Sequence, residues 1–194
     1  MLYLLLMTAL TNAGAGARTG PHIEPRGGSY ELVMPNPMWA ALEKHVPNFT
    51  IYRFDEFEPS LFRPGLGRHS EVTDRQSPFA VVGDFNGDRI RDVIVNGCTP
   101  TSCGLIAVLS HRKRFVAADV GPPLPQARGY PRPNDVPMET VLRLVRPGVI
   151  HSPHLEGKPL VLKTDAVEDI FVGKGSGVYY YSGSGSFEYY ATGD

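Results

Sequence analysis

The chain has 194 residues, of which 42% are hydrophobic and 20% are charged, and its formal net charge is −1. This length suits one domain with a hydrophobic core of its own. Because the charge is near neutral and the longest basic run is the short cluster at residues 111–114, the composition argues against nucleic acid as a partner.

The sequence opens with an apolar stretch, residues 1–10, followed by small residues that end at Ala17. This order is typical of a signal peptide with an A-x-A-like cleavage site, although no Lys or Arg precedes the apolar stretch. We therefore expect a signal peptide at residues 1–17 and a secreted or periplasmic protein, with a buried N-terminal strand as the alternative. The stretch is too short to span a bilayer, and the sequence predicts no membrane span in the mature chain.

Residues 18–30 are rich in Gly and Pro and predict a flexible leader to a single β-rich domain at residues 31–194. A helix is expected to begin at Asn36, which would cap it, with Pro37 in the first turn and Pro47 ending it. Helical spacing predicts a buried stripe on this helix, formed by Trp39, Leu42 and Val46.

The rest of the chain alternates short apolar runs with turn residues, which predicts strands. These runs lie at residues 50–54, 79–82, 92–95, 105–109, 114–117, 140–145, 160–163, 170–172, 178–181 and 187–190. The Pro-rich residues 121–137 predict a long irregular connection, with a polyproline ligand as the alternative. We expect an α+β fold, mostly antiparallel β with one N-terminal helix, and not a full β-propeller.

Two cysteines, Cys98 and Cys103, are separated by four residues. In an exported protein the expected outcome is a disulfide, and the alternative is half of a zinc site.

The most specific motif is the acidic stretch that follows the predicted strand at 79–82. Its oxygen-bearing side chains stand at loop positions 1, 3, 5 and 9, and the backbone carbonyl of position 7 can add a fifth oxygen; these residues are Asp84, Asn86, Asp88, Asp92 and Ile90. Calcium takes six to eight oxygen ligands, so this spacing predicts a Ca2+ site completed by water. The alternative is a plain hairpin, because Asn86-Gly87 between two apolar runs is a strong turn signal.

The run from Phe79 to Asp88, together with residues 92–95, resembles the core of FG-GAP/VCBS-type repeats. The resemblance covers about 20 residues and implies a strand, a calcium loop and a second strand, with the five residues named above as ligands. Arg89 stands where the family has Gly, which predicts a left-handed residue costing about 1–2 kcal/mol and a weaker site. A single copy of the motif does not build a propeller.

Other candidates are weaker. His151 and His154 could offer two zinc ligands, with Glu139 or Glu156 nearby, but two surface histidines are the ordinary explanation. Glu168 and Asp169 are adjacent and should point to opposite faces of a strand, so they do not form a catalytic pair. A C-terminal aromatic cluster predicts cross-strand packing, with a sugar-stacking or protein-binding platform as the alternative.

These patterns favour an exported, non-enzymatic interaction or adhesion-type module with a structural calcium ion and an unknown protein or carbohydrate partner. The alternative is a small exported hydrolase with a structural calcium ion and unidentified catalytic residues.

Overall fold

The computed structural model describes residues 20–57, 77–112, 114–122, 124–125, 140–152, 159–171 and 174–193. Within these ranges the chain is mostly antiparallel β-sheet with a single α-helix near its N-terminal side, and the sheets do not close into a barrel. The β-rich α+β class expected from the sequence is confirmed at this level.

An antiparallel hairpin opens the described chain, formed by β1 (His22–Arg26) and β2 (Ser29–Val33). The turn between them is Gly27-Gly28, with φ of 57° and 88°. These left-handed angles suit glycine and explain why this pair can reverse the chain. The structure therefore differs from the flexible leader expected over residues 18–30.

The helix α1 spans Asn36–His45, close to its predicted position. Asn36 is the first helical residue rather than a cap, and the preceding Pro35 provides no side-chain cap hydrogen bond. The buried side chains are Met38 and Leu42, whereas Trp39 is 41% exposed. The prediction of Trp39 in the buried stripe is wrong because the stripe lies one residue earlier, at Met38.

A six-stranded antiparallel sheet forms the centre of the fold. Its strands are β3 (Thr50–Ile51), β4 (Ala80–Gly83), β5 (Asp92–Cys98), β6 (Ser102–His111), β7 (Arg114–Asp119) and β8 (Leu124–Pro125). Strand β5 pairs with β3, β4 and β6, and every residue of β5 is buried. The strand predicted at residues 50–54 is shorter in the structure, because β3 ends at Ile51 and a 3-10 turn, Phe54–Glu56, follows it.

The remaining strands are β9 (Thr140–Val145), β10 (Gly148–Ile150), β11 (Leu160–Leu162), β12 (Ala166–Phe171), β13 (Gly175–Tyr181) and β14 (Phe187–Gly193). Four of them form a second antiparallel sheet in the order β14-β13-β12-β9, and β10 pairs with β11 as a separate ribbon. The last two strands, predicted at residues 178–181 and 187–190, pair as an antiparallel hairpin.

Two apolar clusters hold the layers together. The larger cluster places α1 and the N-terminal hairpin against one face of the six-stranded sheet, with Met38, Leu42, Val93, Val95 and Val108 among its members. The second cluster contains buried side chains from both sheets, including Phe85, Ile94, Ala107, Leu142 and Val167. The six-stranded sheet is therefore covered on both faces, which explains its unbroken apolar strands.

The predicted disulfide is present, and it joins Cys98 at the end of β5 to Cys103 on β6. The Tyr52 hydroxyl lies 2.7 Å from Cys98 Sγ, inside the larger cluster. Among the described helical residues, none belongs to a helix long and apolar enough to cross a membrane.

Candidate functional site

The acidic loop connects β4 to β5, as the sequence predicted. Two of its residues have left-handed backbone conformations, Gly87 with φ of 82° and Arg89 with φ of 68°. Arg89 thus adopts the conformation expected from its position in the motif, in which an L side chain is strained and glycine is not.

Three side chains of the loop are anchored by backbone N–H groups of the same loop. Asp84 accepts from Gly87 N–H at 2.8 Å and from Arg89 N–H at 2.9 Å. Asn86 Oδ1 accepts from Asp88 N–H at 3.0 Å, and Asp88 Oδ1 accepts from Ile90 N–H at 2.8 Å. Each bond fixes a side-chain oxygen near the loop without using all of its lone pairs, so these oxygens retain acceptor capacity.

Asp92 has a different environment from the other acidic residues of the loop. It is completely buried, and its carboxylate accepts from Phe85 N–H at 3.0 Å, Asn86 N–H at 3.4 Å and Ser110 N–H at 2.7 Å. Burial raises the pKa of Asp92 to about 6, while these three N–H donors act in the opposite direction. Through these hydrogen bonds, Asp92 connects the start of the loop to the end of β6.

Ser110 on β6 is the second attachment point of the loop. Its hydroxyl donates a short hydrogen bond to Asp88 Oδ2, and its carbonyl accepts from Asn86 Nδ2 at 2.6 Å. Because Ser110 also bonds Asp92, this one buried residue contacts three of the predicted ligands. The sequence offered no signal for this role, since Ser110 looks like an ordinary strand residue.

The loop is also tied to the second sheet through Asp165. Asp84 N–H donates to Asp165 Oδ2 at 2.9 Å, and Asp165 N–H donates to the Asp84 carbonyl at 3.1 Å. Arg146 Nη1 lies 3.0 Å from Asp165 Oδ2. A side chain at Gly83 would bring its Cβ within 2.8 Å of the Asp165 carboxylate, so glycine permits this close approach. The loop therefore lies at the junction of the two sheets.

The five predicted ligands differ in their exposure in the described structure. Asp88 and Ile90 are exposed, Asp84 and Asn86 are half-buried, and Asp92 is fully buried. Among the residues that the structure describes, no group of three or more His, Cys, Asp or Glu side chains is placed to hold a metal ion. What the structure provides is an ordered acidic loop whose backbone is already bent and whose side-chain oxygens are anchored by N–H groups.

The other candidate groups fall into separate places. His151 is exposed after β10, and His154, Glu139 and Glu156 lie outside the described residues. Glu168 accepts from Arg143 Nε at 2.7 Å, while Asp169 points to the opposite face of β12 and makes no pair with it. Adjacent residues of a strand face opposite sides of the sheet, as the sequence predicted for this pair.

The aromatic cluster packs across the last hairpin, as predicted. The Tyr179 and Tyr189 rings are 4.9 Å apart, and the Tyr181 and Phe187 rings are 5.5 Å apart, measured between centroids. Tyr189 nevertheless remains 57% exposed. This hairpin therefore combines cross-strand packing with an accessible ring.

No protein-family model matches this sequence, and no curated protein or solved structure gives a significant match to it.

Proposed function

We propose that the protein is an exported, non-enzymatic binding module in which the loop at residues 84–92 binds one calcium ion as a structural element. The observation that carries the proposal is the set of hydrogen bonds by which backbone N–H groups of the loop anchor Asp84, Asn86 and Asp88. This arrangement limits the side-chain entropy that ion binding has to remove.

The ligands in this proposal are Asp84, Asn86, Asp88 and the Ile90 carbonyl, with water completing the shell. The position of Asp92 in the motif predicts a further side-chain ligand. In this proposal, however, Asp92 does not bind the ion: it stays hydrogen-bonded to its three N–H donors and maintains the loop conformation. Asp88 Oδ2 accepts a short hydrogen bond from Ser110 and keeps a further lone pair for the ion. The strained Arg89 favours a weak site.

The position of the loop indicates how a bound ion would stabilise the fold. The loop contacts β6 through Ser110 and the second sheet through Asp165. An ion that stiffens it would therefore stabilise the junction between the two sheets. Export is supported by the apolar start of the sequence and by the Cys98–Cys103 disulfide, which suits an oxidising compartment.

The test is thermal unfolding of the mature chain in calcium, magnesium or chelator. Calcium at ten times its Kd should raise the midpoint by about 3–6 °C, and magnesium should do so less. Asp88→Asn should abolish the shift, because the amide keeps the shape of the side chain but removes its charge.

Asp55→Asn is the matched control, because Asp55 is an exposed carboxylate that pairs with Arg53 far along the chain from the loop. This variant should keep the full calcium shift. The proposal is wrong if calcium leaves the wild-type midpoint unchanged, or if Asp88→Asn responds like the wild type.

A further inference from the structure

The second sheet carries a cavity that the calcium loop does not use. It has a volume of about 530 Å3 and opens beside β12, β13 and β14, where Asp169, Ser176, Tyr179 and Tyr189 line it together with Lys174. On β12, Asp169 lies four residues beyond Asp165, which is about 13 Å along the strand. The cavity is therefore separate from the acidic loop.

Asp169 is the chemically unusual member of this lining. Its pairing partners across the sheet are Leu142 on β9 and Gly177 on β13. Its Oδ1 atom is buried and has no hydrogen-bond partner in the described part of the chain. Burial raises the pKa of Asp169 to about 6, and no hydrogen bond offsets this effect. A buried acceptor without a donor costs free energy, so a ligand hydroxyl that donates to this oxygen inside the cavity would be stabilised.

An exposed aromatic ring lines the same cavity as this carboxylate, and it can lie over Gly177 because that residue has no side chain. A Cβ atom at position 177 would lie 2.1 Å from the Tyr189 ring, which shows how closely the ring covers the glycine. Tyr189 is 57% exposed and rests on Tyr179 at 4.9 Å with an interplanar angle of 52°. The contact with Tyr179 fixes the ring, while its outer face remains accessible.

The charges around the cavity decide the ligand class. An anion would meet the Asp169 carboxylate without a donor in between. A cation would gain from Asp169 and the tyrosine rings, but it would meet Lys174, whose Nζ lies 4.1 Å from the centroid of the neighbouring Phe171 ring. A neutral ligand that carries hydroxyl groups and an apolar C–H face suits both Asp169 and Tyr189: its hydroxyls donate to Asp169, and its C–H groups stack on Tyr189.

We propose that this cavity is a binding site for a neutral carbohydrate, with Asp169 as the hydroxyl acceptor and Tyr189 as the stacking surface. This inference rests on the proposed role of the protein as a binding module and names the class of its partner. It does not depend on the calcium ion, because none of the loop residues lines the cavity.

The test is isothermal titration of the full mature chain with cellohexaose, chitohexaose and maltohexaose. At least one of these neutral oligosaccharides should bind saturably. Asp169→Ala and Tyr189→Ala should each weaken that binding about tenfold or more. Tyr190→Ala is the matched control, because Tyr190 is the next residue on β14 and faces the other side of the sheet, opposite Val178; it should bind like the wild type.

The stability of the variants separates a binding role from a structural one. Asp169→Asn should raise the unfolding midpoint while it weakens sugar binding, because it removes an unpaired buried charge. A residue kept only for folding would show the opposite sign of stability change. Asp88→Asn should lose the calcium shift and keep sugar binding, so failure of the calcium proposal and failure of this one give different results.

The inference is overturned if none of the three oligosaccharides binds the wild-type chain, or if Asp169→Ala binds them as tightly as the wild type. It is also overturned if tetramethylammonium chloride binds at this site in preference to the neutral sugars, since a cation site would then explain the carboxylate.

Discussion

Asp92 in the acidic loop and Asp169 on the second sheet share a pKa raised to about 6, yet their surroundings differ in kind. Asp92 is fully buried and accepts hydrogen bonds from three backbone N–H groups. Asp169 has a buried oxygen without any partner among the described residues, and it lines an open cavity. The two carboxyl groups therefore have similar pKa values, although Asp92 is an acceptor for the surrounding backbone and Asp169 has a buried oxygen without a partner among the described residues.

Because of this difference, burial of the carboxylate has opposite effects on stability in the two regions. Removing Asp92 would leave the N–H groups of Phe85, Asn86 and Ser110 without their acceptor. Removing the charge of Asp169 would leave no donor behind and would relieve an uncompensated desolvation. Buried polar groups stabilise a fold when they satisfy other groups, and they lower its stability when they do not.

The largest effect is expected for Asp92→Ala. Three backbone donors lose their acceptor, at about 1–3 kcal/mol for each group that stays buried, so the free energy of unfolding should fall by about 3 kcal/mol or more. Urea denaturation at pH 7 measures this change. A loss below about 1 kcal/mol would mean that water replaces the carboxylate and that Asp92 does not hold the loop.

Asp169→Asn should act in the opposite direction. The pKa of Asp169 is raised from 3.8 to about 6 in the folded protein, so the native state binds more protons between these values and stability falls as the pH rises through this window. The variant does not bury an ionised carboxylate, so at pH 7 it should be more stable than the wild type by about 1–2 kcal/mol. This value allows for screening by solvent in the open cavity.

Urea denaturation of both proteins at pH 4, 5, 6 and 7 checks this prediction. The difference between them should be small at pH 4 and complete by pH 7. The Asp92 carboxyl titrates in the same window in both proteins and cancels in the difference. Tyr179, which also lines the cavity, has a pKa raised above its usual value of 10.0 by burial and by the nearby Asp169, so it does not titrate in this range. A difference that does not vary with pH would contradict the role given to the charge.

The smallest effect is expected for Arg89→Gly. Arg89 has a left-handed backbone, and glycine should relieve that strain for a net gain of about 0.5–1 kcal/mol, together with a larger calcium shift. Arg112→Gly is the matched control, because Arg112 is also left-handed, with φ of 46°, but lies in the turn between β6 and β7. It should gain similar stability without any change in the calcium shift.

Much of the fold follows from local sequence patterns. The hairpin of β6 and β7 was predictable because two alternating apolar runs flank polar turn residues, and α1 was predictable from Pro37 and from helical spacing. The hairpin of β1 and β2 was missed because Gly27-Gly28 lies among other Gly and Pro residues, which favoured a leader. Trp39 was misplaced because periodicity alone does not decide which of two neighbouring residues faces the sheet.

The two sites differ in how far sequence can predict them. The residues of the acidic loop are close in sequence, so their spacing located the turn, and the resemblance to the repeat motif predicted the left-handed conformation of Arg89. The cavity depends on strand register, which sets Asp169 beside Gly177 and lets Tyr189 lean across from β14. Sequence placed Asp169 and Glu168 on opposite faces but contained no signal for the missing donor. Asp165 and Ser110 were missed for the same reason, since they meet the loop only after the sheets have packed.

The buried strand β5 is restrained at both of its ends, by hydrogen bonds at one end and by a disulfide at the other. Asp92 is its first residue and is bonded to the loop and to β6, while Cys98 is its last residue and is covalently joined to β6. A strand restrained in this way cannot fray from either end, so its amide protons should exchange with solvent only when the whole central sheet opens. Local fluctuations are then confined to outlying parts such as the ribbon of β10 and β11, and the acidic loop remains attached to the most slowly opening part of the protein.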